Sequence, residues 1–466
     1  MKRPLRLLLT TTVAVSVLSS CADQTYAAKP LNINKITATL TAKNPTDIAF
    51  QRFLAKNGVA ENQLPLKSWG IHTLTLAALY FNPKLTLANA KWAASLAAVE
   101  VANQPALSTL DANIAHSNQG AGEPKPWSYG LTINLPVETT NKRQLRTEEA
   151  RHLAEATRIE MSQTAWQLRH QISQDLITIT ESSHQVNLYE KELKYQNEIV
   201  AMIEKRVKLG LQSNTELSQA KLLQLKTLNS LNQHFAKMPE LTAILAADVG
   251  LTIEKFNLIP LETIDTLNVI NQQKSVLANP DITKKLQETA LFNRLDVRAS
   301  LARYAASESK IKLGLAKQTP DILFSPAFIF DFGNSIWSLG LSNLLFILNK
   351  NQTPTIEAEK LRDIEAAQFE VLQASIIAEL ARAEASYSAT LAETAQAEQL
   401  VSAGRVHFQQ LQKQFDAGNI DRLELTQSQL SRVFSAQTLH DARFKSIRAG
   451  LAIEDVMQYP LYDAPK

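Results

Sequence analysis

The chain has 466 residues, of which 45% are hydrophobic and only 13 are glycine, and this composition disfavours collagen-like, disordered and multi-span helical membrane proteins. Lysine and arginine number 48 and aspartate and glutamate 45, so the net charge of +3 gives no indication of a nucleic-acid partner. We expect a helix-rich chain that is either globular or very elongated.

The first twenty residues have the three parts of a secretory signal peptide. Basic side chains precede an apolar run at residues 7–18, and small residues then lead to Cys21, the only cysteine of the chain. The run Leu18-Ser19-Ser20-Cys21 resembles a bacterial lipobox, which predicts cleavage before Cys21 and lipidation of its thiol. The next residue, Ala22, resembles the outer-membrane type of lipoprotein. An ordinary signal peptide with an incidental thiol is the alternative.

Two windows of more than 100 residues lack proline, which helix interiors exclude. The first window ends at Pro239. Together the two windows predict two helical hairpins, over about 143–237 and about 355–452. Their first arms, at 1.5 Å per residue, are about 100 and 95 Å long. No compact globular domain needs helices of this length.

A glycine near the middle of each window marks the turn of the hairpin. Gly210 is followed by Ser213 and Asn214, and Gly418 is followed by Asp421. A glycine after a helix, followed by a side chain that can cap a new helix, predicts a helix end and a new start.

The first arm of each hairpin has side chains that recur every seven residues. In the first arm they are Ile172, Ile179, Val186, Leu193, Val200 and Val207, and in the second they are Leu380, Tyr387, Thr394, Val401, Phe408 and Phe415. A strict period of seven favours left-handed coiled-coil packing. On this pattern alone, a solvated coiled coil explains the arms equally well.

Just before each long arm the periodicity changes from seven to two, which predicts strands at 106–116, 127–135, 322–332 and 335–348. Their length and alternating faces fit the wall of a membrane β-barrel. The apolar run of the signal peptide is too short to span a membrane as a helix, and no later run reaches the required ~20 residues. A half-buried soluble sheet gives the same alternation and is the alternative.

The chain repeats itself once with a shift of roughly 208–215 residues, and each unit comprises a helix, a β-hairpin, a long helix, a glycine turn and a return helix. The predicted boundaries are a signal peptide at 1–20, a lipid-anchored segment at 21–70, a first repeat at 71–250, an equatorial connection at 251–289, a second repeat at 290–455 and a tail at 456–466.

Several motifs make the chain, over roughly residues 70–455, resemble the outer-membrane efflux protein (TolC) family. They are Asn-Pro-x-Leu at 82–85, the strand exit at 135–143, and the paired glycine segments at 210–217 and 418–425. The strand exit is similar to that of the heavy-metal and related resistance-nodulation-division branches. Where the family usually has two glycines before Lys-Arg, this chain has Thr140 and Asn141.

The resemblance implies a mainly α protein with a membrane β-barrel part. Three copies would each contribute four strands to one twelve-stranded barrel in the outer-membrane lipid, and their long hairpins would form a periplasmic α-barrel. Closing the barrel as a homotrimer also removes sheet edges that could not be left unpaired in lipid.

The resemblance further implies that the two glycine turns lie at the periplasmic tip, where the family docks the helical hairpin of a periplasmic adaptor (membrane fusion) protein. The first turn, Leu209, Gly210 and Leu211, is a conservative match to the family pattern. In the second turn, Ala417 and Asn419 depart from the family pattern on either side of Gly418.

A carboxylate stands six residues after each glycine, at Glu216 and Glu424, and Asp421 is a third candidate for a pore constriction. The family narrows its tip with acidic rings; Glu424 falls on one such position, and Gln427 occupies another. Three copies of Glu424 around one axis would favour cations. Alternatively, each glutamate only stabilises the first turn of its return helix.

The eight histidines include no pair at the i, i+4 spacing of a helical metal site, and no phosphate-cradle or nucleophile-turn motif is present in the sequence. We therefore expect neither an enzyme nor a bound metal or cofactor. The leading hypothesis is a passive exit duct whose energy comes from an inner-membrane transporter. The alternative is a non-channel, coiled-coil periplasmic lipoprotein that acts as a scaffold or adaptor subunit.

Overall fold

The computed structural model describes residues 27–116, 127–262, 264–277, 294–342 and 353–461, as well as 284, 288 and 292. The predicted signal peptide and lipidation site lie outside the described residues. The chain divides after Lys43 into two units. In the first unit, α1 (Ile33–Thr41) begins after Asn32, whose side chain accepts a hydrogen bond from the Lys35 N–H at 3.0 Å.

The second unit contains all other described elements. Its helices are α2 (Ile48–Lys56), α3 (Ile71–Phe81), α4 (Pro83–Ala102), α5 (Lys142–Lys208), α6 (Asn214–Val249), α7 (Ile253–Phe256), α8 (Thr266–Leu277), α9 (Leu295–Ala316), α10 (Thr353–Asp416) and α11 (Arg422–Met457), with a short 3-10 helix at Glu61–Gln63. Its strands are β1 (Thr109–His116), β2 (Trp127–Val137), β3 (Ile322–Asp331) and β4 (Asn334–Ser342).

The four strands form one antiparallel sheet in the order β1-β2-β3-β4, so the hairpins of the two repeats lie side by side. Phe332 and Gly333 make the turn between β3 and β4, both with positive φ. Phe332 therefore leaves the strand in which the alternation had placed it. The first strand begins at Thr109 rather than at 106, and the predicted end of the last strand at 348 lies outside the described residues.

One face of the sheet is apolar across all four strands. Tyr129 pairs with Phe330, and their rings stack with centroids 4.8 Å apart. Phe328 pairs with Trp337 on the next strand at 4.7 Å, and the Trp337 side chain is 80% exposed. Exposed apolar side chains also include Leu110, Ile114, Trp127, Leu131, Ile133, Leu135, Val137, Leu339 and Leu341. An apolar face this extensive, left uncovered, needs a nonaqueous neighbour.

The opposite face of the sheet is polar. The Asn134 amide donates a hydrogen bond to Asp111, and the Ser325 hydroxyl donates to Asn134 Oδ1 at 2.7 Å. The sheet thus has one face suited to lipid and one suited to water. Among the described helices, none is both long and apolar enough to cross a membrane.

The long helix α5 connects the two halves of the helical part. It packs beside α4 and α9 and, further along, between α6 and α11, and α10 packs beside α9 and then α11. The predicted seven-residue stripes lie in these contacts. Ile172, Ile179 and Val200 of the first stripe and Leu380 and Tyr387 of the second are buried. The helical hairpins predicted from the two proline-free windows are therefore present, and the stripes lie where their helices pack together.

The return helix of the first hairpin does not end at its proline. Instead, α6 continues through Pro239 to Val249 and ends at Gly250, whose φ is +88°. The predicted end at about 237 is wrong. A proline inside a helix costs about 3 kcal/mol. Burial of Leu245 and Val249, both 0% exposed, in the turns that follow offsets this cost.

The main hydrophobic cluster surrounds the middle of the long helices. We call it the equatorial core; its fully buried members include Phe50, Leu54, Trp69, Leu74, Ile172, Leu176, Leu245, Val249, Phe256, Val269, Phe444, Ile447 and Leu451. Trp69 stacks on Phe256 at a centroid distance of 6.0 Å, and its Nε1–H donates to the Phe256 carbonyl at 3.3 Å. Residues 44–70, which the sequence assigned only to an N-terminal segment, are thus part of the core.

The exit from β2 into α5 has an unusual backbone. Thr140 and Asn141 both have positive φ, at 55° and 57°. Only glycine adopts this conformation freely, so the two residues take the backbone that the family's glycines would supply. The Thr140 hydroxyl donates to the Ala316 carbonyl at 3.0 Å, and the buried Lys142 ammonium contacts Asp321 at 2.7 Å. These contacts stabilise a turn that its side chains alone disfavour.

A carboxyl pair lies where α5 meets α6. Asp175 Oδ1 accepts a hydrogen bond from the Gln171 amide at 2.9 Å, and the buried Asp175 Oδ2 has no hydrogen-bond partner among the described residues. Burial, and then the neighbouring Asp248 carboxyl, raise the pKa of Asp175 to about 7. The Asn-Pro motif contacts the same pair, since Lys84 lies 3.6 Å from Asp248 and Asn82 donates to the Asp248 carbonyl at 2.6 Å.

The Asp175→Asn variant should reduce the pH dependence of stability. Between about pH 4 and 7 the folded chain holds a proton that the unfolded chain has lost, so the free energy of unfolding falls as pH rises through this window. Asparagine keeps a hydrogen-bonding group without a charge. The fall in Tm from pH 5 to pH 8 should therefore be smaller in the variant, by about 2 °C or more.

The exposed Asp47→Asn variant is the matched control. It removes a carboxylate that caps α2 without a side-chain hydrogen bond, so its Tm should follow the wild-type pH profile. Parallel profiles for all three proteins would show that the Asp175 proton does not contribute to stability.

Candidate docking and constriction site

The two glycine turns lie next to each other at the far ends of the hairpins. Arg206, in the last turn of α5, donates to Asp421 Oδ2 at 2.5 Å, which joins the first hairpin to the second. We call residues 205–217 and 416–425 the tip. The sequence-predicted docking residues are all within it, so the structure brings the two sets together.

The first turn is built by backbone hydrogen bonds around Gly210. The Gly210 N–H donates to the Val207 carbonyl at 3.0 Å, and the Leu211 N–H donates to the Arg206 carbonyl at 2.8 Å. This is the Schellman pattern of a helix end, and it places Gly210 at φ +73°. Leu209 and Leu211 are 72% and 71% exposed, so the turn presents two apolar side chains to its surroundings.

The second turn repeats this backbone with different side chains. The Gly418 N–H donates to the Phe415 carbonyl and the Asn419 N–H to the Gln414 carbonyl, each at 2.9 Å, and Gly418 has φ +76°. Ala417 and Asn419 are exposed. The departure from the family pattern therefore changes the surface chemistry of the turn and leaves its shape intact.

Glu216 has a local structural partner. Its carboxylate accepts a hydrogen bond from the Ser213 N–H at 2.9 Å, while the Ser213 hydroxyl accepts from the Glu216 N–H at 3.2 Å. The two residues form a capping box at the start of α6. The contacts of this glutamate are thus those of the alternative interpretation, in which it stabilises the first turn of its helix.

Asp421 has two structural contacts. It caps α11 by accepting from the Glu424 N–H at 3.0 Å, and it pairs with Arg206. The hydrogen bond from Arg206, and then that from the Glu424 backbone, hold the pKa of the Asp421 carboxyl below its ordinary value. Asp421 is therefore charged at neutral pH, and its charge is paired within the chain.

Glu424 lies on an exposed stripe of α11. The stripe repeats in alternating steps of three and four residues and consists of Glu424, Gln427, Ser431, Phe434, Thr438, Asp441, Lys445 and Arg448. Phe444, Ile447 and Leu451, which pack into the equatorial core, lie on another face of the helix. Glu424 thus belongs to the face that the equatorial core does not cover, and its carboxylate has no hydrogen-bond or ion-pair partner among the described residues.

The neighbours of α11 confirm which face this is. Arg448 pairs with Glu181 of α5 on one side, and Lys445 pairs with Glu393 of α10 at 2.6 Å on the other. Lys445 and Arg448 belong to the stripe, so α5 and α10 flank the stripe on its two sides, and the stripe faces away from the equatorial core. In a wall of parallel helices, such a face lines one surface of the wall.

The buried residue Glu192 makes contacts that the sequence did not predict. Glu192, only 7% exposed, accepts from the Thr227 hydroxyl at 2.6 Å and from the Gln437 amide at 2.7 Å. These donors come from α6 and α11, so one carboxylate joins three helices. In the sequence, the one indication that this region is buried was the neighbouring residue Leu193, which belongs to the seven-residue stripe.

The sheet and the hairpins define the class of protein. A four-stranded sheet with an exposed apolar face, continuous with helical hairpins about 100 Å long, is the protomer of an outer-membrane channel with a periplasmic extension. Residues 75–238 match the family model described as outer membrane efflux protein. This match covers about a third of the chain and agrees with the family that the motifs predicted.

Solved structures share the fold over most of the chain. The outer-membrane channel OprN is 18% identical, with 94% of this chain and 97% of that chain covered and a TM-score of 0.67. VceC from Vibrio cholerae is 17% identical, with 84% and 96% covered and a TM-score of 0.64. The open state of MtrE from Neisseria gonorrhoeae is 13% identical, with 84% and 89% covered and a TM-score of 0.62. No curated protein sequence gives a significant match.

The Glu192→Ala variant should destabilise the tip-proximal half of the bundle. It removes the acceptor of the half-buried Gln437 amide and leaves the Thr227 hydroxyl with its second acceptor, the Leu223 carbonyl at 3.1 Å, at a cost of about 1–2 kcal/mol. Thermal unfolding of the solubilised protein should show a lower Tm than Glu190→Ala, which truncates an exposed glutamate two residues away on the same helix. Equal Tm values would contradict the structural role of Glu192.

Proposed function

We propose that three copies of this chain form a passive exit duct across the outer membrane, serving a tripartite efflux or secretion system. The observation that carries the proposal is the sheet, whose edge strands β1 and β4 each have one side without a strand partner among the described residues. In lipid, unpaired backbone groups cost several kcal/mol each. Three sheets joined edge to edge make a closed barrel of twelve strands and leave no open edge.

The sheet also weighs against a non-channel lipoprotein. A periplasmic scaffold or adaptor subunit would expose the apolar face of Trp337 and its neighbours to water, whereas a membrane-inserted barrel places that face in lipid. An adaptor is also expected to have one long hairpin, and this chain has two.

The tip is the proposed docking surface for a periplasmic adaptor. Leu209 and Leu211 project from a rigid turn, and exposed leucines flanked by basic side chains suit contact with an amphipathic helical hairpin. The second turn would contribute backbone shape and the polar side chain of Asn419. Energy would come from an inner-membrane transporter bound to the same adaptor.

Glu424 is the proposed constriction residue. It is the one carboxylate of the three candidates that has no partner within the described chain, and it begins the exposed stripe of α11. If that stripe lines the duct, three copies of Glu424 form an acidic ring close to the tip and favour cations. Glu216 and Asp421 would serve as capping residues rather than as ring members.

Mass and conductance of the purified particle test the duct and its ring together. The wild-type protein should be a trimer of about 150 kDa that conducts in a planar bilayer, while a non-conducting monomer or dimer would favour the coiled-coil lipoprotein. In Glu424→Gln, the cation preference measured from the reversal potential in a salt gradient should fall by about twofold or more.

Glu216→Gln is the control for the ring, since Glu216 is a capping residue in the adjacent hairpin. Its reversal potential should remain that of the wild type. If Glu424→Gln also leaves the reversal potential unchanged while the trimer conducts, the constriction lies elsewhere and the duct itself stands.

The docking surface is tested with the Leu209→Asp, Leu211→Asp double variant. Two buried charges at an apolar contact should lower the affinity for the adaptor of the same host by about tenfold or more, measured by surface plasmon resonance. Leu258→Asp, at an exposed leucine far from the tip, should bind normally. Loss of the trimer in the double variant, or full adaptor affinity, would contradict a docking role for these leucines.

A further inference from the structure

A polar cavity of about 560 Å³ lies where the sheet meets the helices. Its walls come from the end of β2, the first turns of α5 and the segment between α4 and β1. The side chains used below are Ala106, Val137, Glu138, Lys142, Arg143 and Arg151. Neither the tip nor the equatorial core contributes to it.

The charge of this cavity is positive and partly uncompensated. Lys142 is paired with Asp321 at 2.7 Å, and Glu138 is paired with Arg146 at 2.8 Å. Arg143 and Arg151 are exposed, and neither guanidinium has a hydrogen-bond or ion-pair partner in the part of the chain that the structure describes. Once the internal pairs are accounted for, two guanidinium groups remain available to an anion.

Both guanidinium-bearing residues line the same cavity. Arg143 and Arg151 are eight residues apart, about 12 Å along the axis of α5 and about 80° around it. Side chains on a helix lean towards its N-terminus, which for α5 is the end joined to the sheet. Arg146 between them is held by the Ala102 and Gln104 carbonyls, each at 3.0 Å, which fixes the segment before β1 against α5.

The cavity also lies at the boundary of the apolar face. Val137 is the last residue of β2 and continues the alternating exposed series that begins at Trp127. Since Val137 and Ala106 line the cavity, its upper rim is apolar and its lower part is basic. Arg151 is nine residues into α5, about 14 Å beyond the start of the helix. The apolar residues thus lie on the side of the cavity next to the sheet, and the basic residues lie along the helix. A phospholipid has the same order, with acyl chains in the membrane and a charged head group below them.

We propose that this cavity binds the phosphate of a phospholipid head group in the periplasmic leaflet of the outer membrane. Arg143 and Arg151 donate to the phosphate oxygens, a geometry for which planar guanidinium groups are suited, and Val137 and Ala106 contact the start of the acyl chains. The assignment rests on insertion of the sheet into the membrane, as in the proposed duct. One lipid per chain would fix the joint between sheet and helices at the membrane surface.

Native mass spectrometry of the full solubilised protein tests the proposal, with phosphatidylglycerol as the probe. The wild-type protein should bind about one phosphatidylglycerol per chain, and Arg143→Gln, Arg151→Gln should weaken this binding by about tenfold or more. The matched control is Arg382→Gln, Arg405→Gln, which removes two exposed arginines of α10 that have no hydrogen-bond or ion-pair partner among the described residues. This control should bind the lipid as the wild type does.

Other outcomes separate the possible sources of the phosphate. Equal loss of lipid in both double variants would overturn the site, because it would reflect net charge alone. Complete displacement of the lipid by millimolar inorganic phosphate would also overturn it, in favour of a free-anion site. A variant that fails to fold is recognised by its lost oligomer mass, and Arg143→Lys, Arg151→Lys, which keeps the charge, should then retain measurable binding.

The same spectra distinguish this proposal from the duct. A wild-type monomer that binds one phosphatidylglycerol would contradict the trimeric duct and support the lipid site. A trimer that binds no phosphatidylglycerol would support the trimeric duct and contradict the lipid site.

Discussion

The backbone of β1 and β4 sets the strongest constraint on this protein. Each edge strand presents a row of N–H and C=O groups, and in a bilayer neither water nor side chains can satisfy them. The apolar face of the sheet makes water an equally poor environment. Association of identical sheets, as in the proposed trimer, would resolve both problems together, and the long helices would extend from the ring that the strands form.

Local signals predicted the parts of the fold that depend on near neighbours in sequence. The seven-residue stripes require only that one side of each arm be buried, and they lie buried or half-buried in the helix contacts. Ser213 and Asp421 cap their helices through bonds that span three residues. The strands followed from alternation, because one face of the sheet meets lipid. The acidic candidates were found by their position in the sequence, while the structure was needed to show that Glu216 and Asp421 have partners within the chain.

Tertiary contacts decided what the sequence could not reveal. Pro239 should end α6 on local grounds, but the burial of Leu245 and Val249 beyond it outweighs that cost. In the sequence, Glu192 cannot be distinguished from the glutamates on the solvent-exposed side of a helix, because its hydrogen-bond donors belong to two other helices. Trp69 lies in a proline-rich segment without periodicity, yet it stacks at the centre of the equatorial core. In each case the contact that determines the structure involves residues on another element of the fold.

The two tip turns have the same backbone conformation but expose different side chains. Leu209 and Leu211 flank the first glycine, whereas Ala417 and Asn419 flank the second. Around a threefold axis, six turns of one shape would alternate between an apolar and a polar type. The end of the duct would then have sixfold symmetry in its main chain and threefold symmetry in its side chains. A partner that recognises only the backbone shape would find six equivalent sites, and one that requires leucine would find three. The four side chains that flank the glycines would then determine the stoichiometry of the proposed exporter.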